Sequence, residues 1–290
     1  RAADVASKKG TTSLYAENDI SLTAGRETSE DHYGIRYKES GLLSTKTTTI
    51  RIDTESDIAR TTNITGQNVN IAAKRDATFT AANIAADSDV NIAAGRNFSA
   101  VSAENYSHTE NYKEVKKSGI FGSGGGLGFI IGTQQTKTTR DSDAITRQGT
   151  NIAALGGNVS ISAGENAHIS SSNILADKDA NISAKETVID GKSNIYRESI
   201  TQESKTTGLT VSFSHGLLDL GQSLYVPISR MGEVQDDRLK AAYAWQTGRM
   251  IHDAFKKNPL TNATFSLNVS FGTSKSYSRM ESTTTEYAGS

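Results

Sequence analysis

Four stretches of this chain can be laid over one another without a gap: NVNIAAKRDATFTA at 68–81, DVNIAAGRNFSAVS at 89–102, NVSISAGENAHISS at 158–171 and DANISAKETVIDGK at 179–192. Val69, Val90, Val159 and Ala180 correspond, as do Ile71, Ile92, Ile161 and Ile182, and within each pair the step is 21 residues. A fifth stretch, DISLTAGRET at 19–28, is expected to place Ile20 and Leu22 in the same slots. Asp or Asn precedes the first apolar position every time (Asp19, Asn68, Asp89, Asn158, Asp179), and such side chains suit turns, where they bond nearby backbone amides. A longer period lies on top: residues 66–106 match 156–196 at an offset of 90, including Asn83-Ile84 against Asn173-Ile174.

Within each unit apolar and polar residues alternate over short runs (Val69/Ile71, Ala77/Phe79, Ile84), which reads as strands with one buried face. Short strands, small polar turns and a period near 20 residues point to a stacked solenoid, because stacking sets each inward Val or Ile about 4.8 Å above its equivalent. The leucine signature of leucine-rich repeats is absent. The expected fold is an all-β parallel β-helix, a single elongated β-solenoid segment over 1–290.

Three related excursions interrupt the coils, at about 31–60, 106–148 and 196–282. The first contains ESGLLSTKTTT. The second contains SGIFGSGGGLGFIIGT, with Ile120, Phe121, Leu127, Phe129, Ile130 and Ile131 broken by glycines that supply a turn. The third opens with TTGLTVSFSHG and returns with ATFSLNVSFGTSKS, so that Leu209, Val211 and Phe213 alternate outward while Phe265, Leu267, Val269 and Phe271 alternate on the return. Such runs read as antiparallel β-hairpins, each with one oily face. Between the last two lies an expected α-helix at about 233–256, with acidic residues at its start, Lys256-Lys257 at its end and Asn258-Pro259 as the stop.

Composition narrows the function classes. A formal charge of −1 gives no net basic field to recruit nucleic acid, and the absence of Cys excludes disulfides and thiolate chemistry. No run of about 18 apolar residues offers a membrane-spanning helix. The opening RAADVASKKG has no signal-peptide pattern, so any export signal is expected elsewhere. His32, His108, His168, His215 and His252 are scattered without metal-ligand spacing. Asp87, Asp89, Asp177 and Asp179 recur at matching positions but sit where turns are expected, and Gly191-Lys192-Ser193 lacks the earlier glycine of a phosphate loop. No catalysis, cofactor, metal or small-molecule substrate is expected.

The ordered set of SGIFGSGGGLGFIIGTQQTKTT, DSDAITRQGTNIAALGGNVSISAG, TGLTVSFSHG and DDRLKAAYAWQTG resembles the second type of filamentous-haemagglutinin repeat, from about residue 17 to the end. Such repeats occur in exoproteins of bacterial two-partner secretion systems, including contact-dependent growth inhibition effectors. The resemblance implies a right-handed β-helix, a secreted location on the bacterial cell surface, an outer-membrane secretion partner, and a region that helps a toxin cross the target-cell outer membrane. On that reading the apolar hairpins are candidate contacts to the membrane or to a surface receptor. Hairpins folded back on a solenoid flank, an adhesin binding surface glycans or proteins, or a plain spacer are the competing expectations. Isolated hairpins would leave unpaired edges in lipid, so membrane insertion would require several to associate.

Overall fold

The computed structural model describes residues 2–41, 43–122, 127–213 and 267–287. In it the polypeptide winds through five coils, each built from three short strands. They are β1 (Asp4–Ala6), β2 (Thr11–Ala16) and β3 (Ile20–Thr23); β6 (Thr62–Gly66), β7 (Asn68–Ala73) and β8 (Ala77–Thr80); β9 (Ala82–Ala86), β10 (Val90–Ala94) and β11 (Phe98–Val101); β14 (Asn151–Ala154), β15 (Val159–Ala163) and β16 (Asn166–Ser170); and β17 (Asn173–Ala176), β18 (Ala180–Ser183) and β19 (Glu186–Asp190). After the first, third and fifth coils the chain leaves as a long hairpin: β4 (Gly25–Ser40) with β5 (Ser44–Arg60), β12 (Ala103–Gly122) with β13 (Leu127–Gln148), and β20 (Ser193–Phe213) with β21 (Leu267–Tyr287). These strands begin three to six residues before the expected excursions, because their opening segments, such as RETSEDH and AENYSHTENYK, carry no apolar alternation to mark them.

Equivalent strands of successive coils pair in parallel and form three five-stranded faces. The register joins Val69, Val90 and Val159 in one column and Ile71, Ile92 and Ile161 in another, all fully buried. Stacking like on like lets every inward side chain lose its water to a neighbour of the same shape, at about 1.5–3 kcal/mol per Val or Ile. On the third face size alternates instead. Ala77 stands opposite Phe98, and Phe79 opposite Ala100, so each large ring has a small partner. The two rings meet edge to face, with centroids 5.4 Å apart.

The stretch at 19–28 does not occupy the expected slots. Ile20 and Leu22 pair with Ala77 and Phe79 on the third face, while Thr12 and Leu14 take the places opposite Val69 and Ile71. A polar residue is tolerated at that inward position because the Thr12 hydroxyl donates to the Thr65 carbonyl at 2.7 Å. The corner Asp and Asn residues also act over a longer range than expected. Asn68 Oδ1 accepts from the amide of Asp89 at 3.3 Å, Asp89 Oδ1 from that of Asn158 at 2.8 Å, and Asn158 Oδ1 from that of Asp179 at 3.1 Å. Each clamps the same corner of the next coil, not its own turn. Asp19 belongs to a second such corner, accepting from the amide of Asp76.

Where no hairpin departs, the corner between the third and first faces is closed by one residue in the left-handed region, Ala81 (φ 49°) or Ser171 (φ 46°). Where a hairpin returns, a buried threonine closes it: Thr62 donates to the Thr23 carbonyl at 2.8 Å, and Thr150 to that of Val101 at 2.9 Å.

The hairpins form a fourth sheet. Its order is β21-β20-β13-β12-β5-β4, antiparallel throughout, so each hairpin pairs edge to edge with the next. The spacing explains why. Hairpins leave every second coil, two coils rise about 9.6 Å, and two paired strands occupy about the same width. Pitch and sheet therefore stay in step. Among the described residues the buried core cluster contains solenoid residues alone, and the long strands pair with one another in this fourth sheet. The expected helix at 233–256 lies outside the described residues.

Candidate functional site: the tip of the hairpin sheet

In an antiparallel sheet, residues directly opposite share a face, and i and i+2 along a strand do likewise. The register aligns Ile120 with Ile131, Ile131 with Leu209, and Leu209 with Phe271, giving one apolar row across four strands. The row is continued at the first hairpin by Leu43, whose carbonyl accepts from the Ile120 amide at 2.9 Å. Phe129 lies two residues from Ile131 and shares its face. Phe121 and Ile130 pair on the opposite face, where Ile130 is buried and the Lys117 ammonium stands 5.8 Å from the Phe121 ring centre. Phe271 is 84% exposed. The backbone register also aligns Leu127 with Phe213 and Leu267, and Val211 with Val269. Phe265 lies outside the described residues. Residues from three separate excursions thus come together at one end of one sheet.

Just behind the apolar row runs a line of glycines, Gly119, Gly132, Gly208 and Gly272, in mutual register. Gly119 adopts φ +114°, and a Cβ there would sit 2.2 Å from the Leu43 carbonyl oxygen. At Gly119, Gly132 and Gly208 the line is a seam where backbones of adjacent hairpins approach more closely than any side chain permits, while Gly272 on the outer strand is open. Next comes a row of hydroxyls, Thr45, Ser118, Thr133, Thr207 and Thr273, with Thr207 and Thr273 in contact at 3.1 Å.

Nearer the solenoid the sheet is held by polar pairs. His32 lies between Asp53 (2.7 Å) and Glu30 (3.0 Å), and these carboxylates raise its pKa above the ordinary 6.5, the Asp53 hydrogen bond contributing most. His108 contacts Asp143 at 2.7 Å, and the Arg51 guanidinium lies 4.5 Å from the centre of the Tyr112 ring. On the solenoid, side-chain amides form a ladder: Asn83 donates to Asn63 at 3.0 Å, Asn151 to Asn83 at 2.9 Å, and Asn173 to Asn151 at 2.8 Å. The ladder and the corner threonines escaped the sequence reading, although TNI recurs at 62–64 and 150–152. The recurring Asp89 carboxylate is taken up by the corner clamp, which engages Asp179 through its backbone amide, and among the described residues no three His, Asp or Glu side chains are grouped to hold a metal.

Five stacked coils that extrude a hairpin at every second turn define a β-solenoid repeat protein. The chain belongs to the hemagglutinin-repeat family: the family model matches it three times, over residues 1–117, 40–208 and 131–229. The second and third matches start about one long repeat apart, as expected if each unit is two coils plus a hairpin. Hemagglutinin repeats of this kind belong to secreted, surface-exposed two-partner-secretion exoproteins. The chain is 31% identical to a tRNA nuclease CdiA of Escherichia coli over 97% of its own length, and 32% identical to a 16S rRNA endonuclease CdiA of Enterobacter cloacae over 92%. It is 28% identical to a deoxyribonuclease CdiA of Dickeya dadantii over 96%. It spans only 8–9% of the length of these relatives. No solved structure matches the chain.

Proposed function

We propose that this chain is a non-enzymatic segment of a surface filament whose hairpin sheet engages the outer membrane of a target cell and supports delivery of a toxin carried elsewhere in the protein. The observation that carries the reading is the row Ile120–Ile131–Leu209–Phe271, which ends on a phenylalanine 84% exposed to water. An exposed Phe forgoes about 1.5–3 kcal/mol of burial, and lipid is a phase that restores it. The seams between hairpins supply what lone hairpins lack, since β12, β13 and β20 have both edges paired. The nucleases named among the relatives match here through a repeat region, and among its described residues no His, Asp and Glu side chains are grouped to hold a metal. An outer-membrane secretion partner follows from the two-partner class.

The test is flotation of the chain with vesicles of bacterial outer-membrane lipid, beside a variant carrying Leu209→Ser and Phe271→Ser. The parent rises with the vesicles and the variant stays behind. A parent that does not float, yet binds a surface glycan saturably, shifts the assignment to adhesion. The solvent-facing amide ladder from Asn63 to Asn173 is the surface that would then carry the binding.

A further inference from the structure

One row behind the hydroxyls, the register sets Lys38 opposite Thr47, Thr47 opposite Lys116, Lys116 opposite Gln135, Gln135 opposite Lys205, and Lys205 opposite Lys275. Four of the six strands therefore present a lysine on the same face as the apolar row, and no acid stands in the line. All four lysines are exposed. Of these four, only Lys116 is held in an ion pair with a described residue, Glu114 at 3.1 Å, and its side chain is still 54% exposed. From Lys116 to Ile120, Lys205 to Leu209 and Lys275 to Phe271 is four residues each, about 13 Å of extended strand.

Charge is sorted along the same face. Six residues behind Lys116 on its own strand lies the acid-rich row Asp53–Glu110–Asp141, with Glu281 at its far end, and eight behind lies Glu30–Glu55–His108–Asp143, which continues to Arg197. From tip to base the face thus reads apolar, hydroxyl, lysine, mixed, acidic. That sequence of layers matches the depth profile of a lipid interface: hydrocarbon, ester and hydroxyl zone, phosphate plane, then water. A protein partner would need no such ordering by depth, whereas a planar anionic surface requires it.

We infer that Lys38, Lys116, Lys205 and Lys275 form a collar that binds the phosphates of lipid headgroups and sets how far the hairpin tip enters the membrane. The acidic rows oppose deeper entry, because they would have to approach the same phosphates. This inference rests on the membrane-engaging reading above and assigns its headgroup chemistry.

The test uses the 290-residue chain, a K38Q/K116Q/K205Q/K275Q variant, the corresponding four-fold Lys→Arg variant, and the Leu209→Ser/Phe271→Ser variant. Each is titrated with phosphatidylcholine vesicles with and without phosphatidylglycerol, and circular dichroism checks that all retain the parent's β-structure. The parent is expected to bind phosphatidylglycerol vesicles more tightly, in a salt-sensitive way. A surface lysine contributes roughly fivefold, so the Gln variant should lose on the order of several hundredfold and fall to the phosphatidylcholine level. The Arg variant should retain binding, and inorganic phosphate at the concentration of lipid phosphate should not compete. If the Gln variant binds phosphatidylglycerol vesicles as tightly as the parent while the tip variant does not bind, the collar is wrong and the tip reading stands. If the parent binds neither vesicle, both are overturned. Full competition by free phosphate would also sink the collar as a headgroup site, since it would mark a simple anion site.

Discussion

Gly208 stands directly opposite Gly132 across the seam between the second and third hairpins, so close that a Cβ on Gly208 would sit 2.8 Å from the Gly132 Cα and 2.2 Å from the Ile131 carbonyl oxygen. Gly208 also has φ +148°, which side-chain-bearing residues rarely adopt. The contact fixes the position of the apolar row, because Ile131 and Leu209 are the next residues outward.

Gly208→Ala should therefore open the seam without unfolding the coils. The expected cost is about 1–3 kcal/mol, confined to the β13–β20 pairing. Hydrogen exchange should speed up for amides in 127–137 and 201–213 while those of β7 and β10 remain protected. Gly272→Ala is the control, since nothing lies within 4 Å of a Cβ there. Equal protection in both variants would mean that the seam does not depend on glycine.

The solenoid is expected to depend most on its aromatic pair. Phe98→Ala removes one ring of the edge-to-face contact and leaves a cavity between Ala77 and Ala167, the small residues opposite it in the adjacent coils. A loss of about 3–5 kcal/mol is expected in denaturant titration. Substituting Ala100, the small partner of Phe79, by Leu should also destabilise, by overpacking, at about 1–3 kcal/mol.

The two parts of the molecule should respond to pH in opposite senses. On the solenoid, the Arg96 guanidinium beside Asp76 holds its carboxyl below the ordinary 3.8, aided by the Asn97 amides. A depressed pKa contributes stability that is fully present above 3.8 and is lost as pH falls through the depressed value. Asp76→Ala removes that corner acceptor, at about 1 kcal/mol, and should flatten the acid limb of a stability profile. In the first hairpin the raised pKa of His32 does the reverse: its contribution is full below 6.5 and is lost as pH rises through the raised value. An imidazole titration followed by NMR should show the His32 midpoint falling toward 6.5 in Asp53→Asn. An unchanged midpoint would separate the two side chains in solution.

How much of this was legible in the sequence differs between the parts. The columns Val69–Val90–Val159 and Ile71–Ile92–Ile161 follow from a repeat that writes the same apolar residue at the same phase, and an inward slot admits few alternatives. The first coil was misphased because DISLTAG imitates DVNIAAG, while Thr12 fills a core slot through a hydrogen bond that no pattern of hydropathy records. The oily residues of the tip were visible one by one, from Ile120 to Phe271. Their assembly was not, since it joins strands of different excursions. The corner clamps and the amide ladder were hidden for the same reason: Asn83 and Asn151 are 68 residues apart in the chain and 2.9 Å apart in space.

The sequence alone determined the period, the buried columns, the class of fold and the apolar character of the hairpins, because each rests on residues near one another in the chain or at a constant interval. Only the tertiary structure decided that the three hairpins become one sheet. That outcome follows from a match between two lengths, the rise of two coils and the width of two strands, and neither length is written in any residue. The seam of glycines, the collar of lysines and the shared apolar row exist only once that match has brought separate excursions into register.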